Sequence, residues 1–130
     1  DVDIYMKQPI GYVVHGKEDY VCKLHKSLYG LKQAGRTWYQ KIDNVLLHSL
    51  GFTRSQADHC IYVYNDNHTN VKIYIALYVD DLLIMCNNLS KLISLKQQLS
   101  QLFDMKDLGE AHYVLGIEIE RDRTKKLFTY

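Results

Sequence analysis

The sequence predicts an α+β domain in which an antiparallel sheet carries two helices packed on one face. Two stretches place apolar residues at helical spacing, and several short runs of β-branched and aromatic residues lie between tight turns. Their order is strand, helix, three strands, helix, two strands, which segregates hairpins from helices. At 130 residues, 47% apolar and 24% charged, the chain can bury one core but is too short for two ordinary domains. With one proline and seven scattered glycines, no linker or repeat stands out, so residues 1–130 read as one domain or part of one.

Residues Asp1 to Tyr12 read as extended chain interrupted by Pro9, and Tyr20 to Leu24 as a short strand after the polar turn His15 to Asp19. From Arg36 to Leu50 the residues Tyr39, Ile42, Leu46 and Leu50 recur at helical spacing, with Trp38 and Tyr39 expected in the core and Gly51 placed to end the run. Cys60 to Tyr64 and Val71 to Tyr78 read as strands joined by the turn residues Asn65 to Asn70, and Leu82 to Cys86 as a third strand. Leu92, Leu95, Leu99 and Leu102 form one stripe of a second helix from about Leu89 to Phe103, with Asn88 or Ser90 as its N-cap. Tyr113 to Glu120 then alternates as a strand, and Asp122 to Lys126 turns into a last one.

A formal net charge of +1 argues for no general attraction to nucleic acid or membrane, but the charge is unevenly spread. Lys23, Lys26, Lys32, Arg36 and Lys41 fall in a stretch without any acid, whereas acids predominate from Asp104 to Asp122. Cys22, Cys60 and Cys86 are odd in number and unpaired in spacing, which predicts buried, reduced thiols in an intracellular protein. The longest apolar run, Ile73 to Val79, is too short to span a bilayer, so no membrane partner is expected. The first residue, Asp1, and the final Leu127 to Tyr130 suggest a piece of something larger.

The most suggestive chemistry lies in Leu77-Tyr78-Val79-Asp80-Asp81-Leu82-Leu83-Ile84, where two carboxylates interrupt two apolar runs at a tight turn. At a hairpin tip both can project from the end of the sheet and share a cation. Magnesium is typically held by one or two carboxylates plus substrate phosphates, which suits phosphoryl transfer. A two-metal mechanism asks for at least one further carboxylate. The plainer account makes both residues solvated turn formers. Against it, an unpaired double charge between apolar strands repels itself unless a cation intervenes.

A second constellation runs from Lys23 to Tyr39, a basic segment with interleaved aromatics that enters the first helix. Free N–H groups and a partial positive charge make helix N-termini ready docking points for phosphate. Lys32 and Arg36 would strengthen that site, Gln33 offers an amide, and Tyr29 offers a stacking face. As the plainer alternative, these residues form a solvated basic face. The six histidines show no metal-ligand spacing, and neither a nucleophile elbow nor a glycine-rich phosphate loop appears.

Taken together these segments resemble the reverse transcriptase of copia-type retrotransposons, in the order Ile4 to Tyr12, Leu24 to Tyr39, Tyr78-Val79-Asp80-Asp81, Met105 to Glu110 and Leu115 to Ile119. The resemblance implies part of a right-hand polymerase palm, truncated at both ends, from an enzyme that performs RNA-directed DNA synthesis. It makes Asp80 and Asp81 catalytic metal ligands for Mg2+ or Mn2+, with Asp80 the one expected to touch the ion directly. It places Lys32, Gln33 and Arg36 toward the incoming nucleotide or template, Tyr78 and Val79 beneath the primer end, and Lys106 near the triphosphate. RNA template, DNA primer and deoxynucleoside triphosphates are the implied partners, together with fingers, thumb and ribonuclease H regions. The implied location is intracellular, in a cytoplasmic virus-like particle or the nucleus. Gly35 and Thr37 stand where the family commonly has proline and alanine, which loosens the helix start. The family's first catalytic aspartate precedes the segment resembling Ile4 to Tyr12, and Asp1 and Asp3 are poor substitutes, so the fragment is expected to be inactive alone. The alternatives are a non-catalytic nucleic-acid-binding module and a retrotransposon remnant without selected function.

Overall fold

Alternation between half-buried and exposed side chains sets the first pair of strands in the computed structural model, which describes residues 3–28, 30–122, 124 and 127–129. Strands β1 (Tyr5–Lys7) and β2 (Val21–Lys23) pair antiparallel with Met6 opposite Cys22. Ile4, Met6, Cys22 and Leu24 share the half-buried face. The connecting loop is tied by one side chain. Gln8 Nε2 donates to the carbonyls of Lys17 (2.6 Å) and Tyr20 (3.0 Å), while its Oε1 accepts from Val14 N–H (2.9 Å). The amide thereby satisfies three backbone groups that a loop would otherwise leave to water.

Helix α1 spans Ala34–Asn44, starting two residues earlier than the spacing predicts. Ile42 is fully buried, but Trp38 and Tyr39 are only half-buried, which corrects their assignment to the core. Regular α-helix also stops short of Leu50. The chain continues as a π-helical turn over Val45–Ser49. Phe52 N–H reaches back to Leu46 C=O (2.9 Å) through Gly51 at φ +72°, and Leu46 and Phe52 are both buried. Closure of that turn thus serves packing in place of the i→i−4 ladder.

The chain forms two compact units, Asp1–Val45 and Leu46–Tyr130. In the second, four antiparallel strands lie in the order β3 (Thr53–Arg54), β4 (Ile61–Asp66), β5 (Val71–Tyr78), β6 (Asp81–Cys86). Strand β5 alternates strictly. Val71, Ile73, Ile75 and Leu77 are buried, whereas Lys72, Tyr74 and Tyr78 are exposed. Tyr62 of β4 and Ile84 of β6 lie opposite Ile75, so the buried face of the sheet centres there. At the far end Asp66 ties the β4–β5 turn, accepting from the backbone of His68 and from Thr69 Oγ1 (2.7 Å).

Helix α2 (Leu89–Leu102) follows the predicted bounds closely because its start signal is local. Asn88 Oδ1 accepts from Lys91 N–H (3.0 Å), and Leu95 and Leu99 are buried. The helix packs beside β6. The single strand expected over Tyr113 to Glu120 is instead a small hairpin. Strands β7 (Tyr113–Val114) and β8 (Ile117–Glu118) pair across Leu115 and Gly116, both at positive φ (53° and 82°), as a type I′ turn requires. Strand β9 (Glu120–Asp122) pairs with β10 (Leu127–Thr129). Arg123, Lys125 and Lys126 of the expected final turn, and Tyr130, lie outside the described residues.

The chain is therefore α+β with antiparallel sheets and, among the described residues, two α-helices, although the strands there divide among four sheets and not one. All three cysteines are free. Cys22 and Cys86 are half-buried and Cys60 is exposed, which corrects the expectation of buried thiols. Among the described residues no helix is long and apolar enough to cross a membrane.

Candidate active site

Register fixes where the two acids sit. Tyr78 lies opposite Asp81 and Leu77 opposite Leu82, which leaves Val79 and Asp80 as a two-residue turn. Asp81 opens β6 and Asp80 precedes it in the turn; both side chains are exposed. Tyr78 and Val79 beside them are 56% and 68% exposed. The buried residues Leu77, Ile75 and Ile73 anchor the hairpin from behind, so the tip stands on a rigid base.

Val79 has φ +52°, whereas Asp80 keeps the ordinary negative sign. A positive φ at the first turn position alone is the type II′ pattern, which normally takes glycine. For a β-branched residue this conformation is an outlier costing on the order of 1–3 kcal/mol. It persists because six consecutive residue pairs, from Ile73↔Cys86 to Tyr78↔Asp81, determine the turn. Strain of this kind collects where a backbone is held for a purpose. No residue pattern announces it, since valine is chosen against by the conformation it adopts.

Asp80 and Asp81 make no side-chain hydrogen bond or ion pair among the described residues. Two ionised carboxylates offer only acceptor oxygens, the donor set that hard divalent cations prefer. No group of three or more His, Cys, Asp or Glu side chains that could hold a metal occurs among the described residues. A pair of carboxylates by itself leaves most of a divalent cation's coordination positions to other oxygens. Strand β6 is the edge of its sheet, with a partner on one side only among the described residues.

The basic entry to α1 belongs to the first unit. Gln33 is its N-cap residue in αR geometry, no side chain caps it, and its first turn contains no acid. Lys32, Gln33 and Arg36 are all exposed. The helix end thus offers N–H groups and positive charge together, the combination that attracts phosphate. Thr37 Oγ1 donates back to Gln33 C=O (3.1 Å). Tyr29 lies outside the described residues. Lys106 is exposed on the segment that follows α2. The structure accordingly gathers Tyr78, Val79, Asp80 and Asp81 on one hairpin and Lys32, Gln33 and Arg36 on one helix entry.

A family model described as reverse transcriptase (RNA-dependent DNA polymerase) matches residues 1–128. The chain belongs to the reverse transcriptase family. The segment is 47% identical over 124 residues to the retrovirus-related Pol polyprotein from transposon TNT 1-94 of Nicotiana tabacum, covering 95% of this chain and 9% of that one. It is 45% identical over 119 residues to the corresponding polyprotein of transposon RE1 from Arabidopsis thaliana, covering 92% and 8%. To a transposon Ty5-1 protein of Saccharomyces cerevisiae it is 40% identical over 121 residues, covering 93% and 38%. This reverse transcriptase segment thus corresponds to part of a retrotransposon Pol polyprotein of copia type and spans less than a tenth of the two plant relatives. No solved structure matches it. Reverse transcriptases use divalent metal ions and nucleic acid substrates, in agreement with the carboxylate pair and the basic helix entry.

Proposed function

We propose that the chain is part of the palm of an RNA-directed DNA polymerase, in which Asp80 and Asp81 hold Mg2+, or Mn2+ in its place, against the phosphates of an incoming deoxynucleoside triphosphate. The observation that carries this reading is the carboxylate pair at a strained two-residue turn on an otherwise apolar hairpin. The bound cations would supply Lewis-acid charge to nucleotidyl transfer. The chain's own residues do the positioning. Strands β5 and β6 present the acids at the end of the sheet, and the Val79 turn fixes their direction. Tyr78 and Val79 form an exposed floor for the primer end. Lys32, Gln33 and Arg36 receive the template or nucleotide phosphates at the start of α1, and Lys106 approaches the triphosphate.

In this reading a further carboxylate would enter along the open edge of β6. A strand added there by the longer Pol chain would put a side chain next to Asp81, the first residue of β6. Such a strand would also cover an edge that proteins seldom leave free when it reads Leu82-Leu83-Ile84-Met85. Template RNA, primer DNA and the remaining polymerase and ribonuclease H regions are its partners in this reading, in a cytoplasmic virus-like particle or the nucleus.

Primer extension on an RNA template tests the proposal. A longer Pol chain containing residues 1–130 and an upstream acidic strand is expected to incorporate deoxynucleotides in the presence of Mg2+ or Mn2+. The 130-residue chain is expected to show no extension in single-turnover assays. Extension by the short chain would contradict the need for a further carboxylate, and inactivity of every longer chain would contradict the polymerase reading.

A further inference from the structure

Between α2 and the β7–β8 hairpin runs a segment without regular structure, yet it is fastened at both ends. Phe103 is buried, and Met105 N–H donates to its carbonyl (2.9 Å). Four residues after Phe103, Asp107 Oδ1 accepts from Lys96 Nζ (3.0 Å) and from Gly109 N–H (2.9 Å). Gly109 sits at φ +83°, a backbone conformation that glycine adopts without steric cost. Lys96 is a helix residue, and its side chain is only 30% exposed, so its stem lies along the protein while its ammonium reaches Asp107. Lys106 lies inside this span and points to solvent. It is the lone lysine or arginine in the stretch from Asp104 to Glu120.

We propose that Lys96 and Asp107 form a clasp that holds the Met105–Gly109 segment on α2 and so makes both of them positioning residues for Lys106. The inference rests on the reading above that Lys106 meets the triphosphate. A flexible lysine in a free loop would spend backbone and side-chain entropy each time it bound a phosphate; a fastened segment has already lost the backbone part. An exposed ion pair alone contributes little to stability. This one differs because the same oxygen also ends a tight backbone turn, and both the Gly109 N–H and then the Lys96 ammonium hold the Asp107 carboxyl below the usual carboxylate range. Lys96 and Asp107 also line an open groove along α2 with Leu92 and Ile93.

The test uses an active longer Pol chain carrying Lys96→Met, Asp107→Asn, Lys96→Arg or Lys106→Ala, with amide exchange of the 104–112 region and steady-state kinetics read together. Lys96→Met and Asp107→Asn are expected to speed exchange at Gly109 about tenfold and to raise KM for deoxynucleotide three- to tenfold, with a smaller effect on kcat. Lys96→Arg is expected to restore both. Exchange and KM unchanged in Lys96→Met, while Lys106→Ala raises KM, would overturn the clasp. An unchanged KM in Lys106→Ala would instead overturn the assignment of Lys106, and with it the positioning role.

Discussion

Asparagine at Asp80 or Asp81 in an active longer Pol chain is expected to lower nucleotide incorporation by at least about two orders of magnitude, the scale on which preorganised charge stabilisation is lost in other sites. The fold should not change. Both side chains are exposed and make no bond within the described residues, so the thermal midpoint is expected to stay within the scatter of ordinary surface substitutions. Loss of activity together with unfolding would mean that the acids serve the turn and not the chemistry. Glutamate at either position keeps the charge but moves it by one methylene, and it is expected to recover only a minor part of the rate. That pattern separates a requirement for placed oxygen from a requirement for negative charge.

Ile75→Ala is expected to have the largest effect on stability, about 2–5 kcal/mol. Ile75 is fully buried in β5, between Tyr62 of β4 and Ile84 of β6. Domains of this size keep only about 5–15 kcal/mol in all, so the loss is a large fraction of the total. With a urea dependence of about 1–3 kcal/mol per molar, the unfolding midpoint should fall by one to several molar units. Tyr74→Ala, on the opposite face of the same strand and 41% exposed, is the control and should shift the midpoint far less. Equal effects at the two positions would contradict the assignment of faces. The link to function is direct, because the Ile75 layer is the base on which the acidic turn stands.

What could be read in the residues depended on how local the cause was. Helix α2 was legible because Asn88 caps it and its leucines repeat at helical spacing. The end of the first helix was not, since the π turn at Val45–Ser49 answers to the burial of Leu46 and Phe52, a tertiary demand. Alternation over Tyr113 to Glu120 suggested one strand, but Leu115-Gly116 reverses the chain, and a leucine at positive φ is not foretold by its propensity. Strand β3 escaped notice because two residues carry no period. The adjacent acids of the second unit and the basic helix entry of the first each stand in plain view in the sequence. The strain at Val79 and the Lys96–Asp107 clasp do not, because each depends on partners brought close only by the fold. Local preference fails at Val79 in the way expected of functional positions.

The most direct measurement of the central claim is Mn2+ titration of the 130-residue chain, followed by paramagnetic broadening of its amide resonances. Broadening is expected to begin at Val79, Asp80, Asp81 and Leu82 and to vanish in the Asp80→Asn, Asp81→Asn double variant. Broadening that begins instead along the acidic stretch from Asp104 to Asp122, or that survives the double substitution, would contradict the claim that the hairpin acids are there to hold a divalent ion.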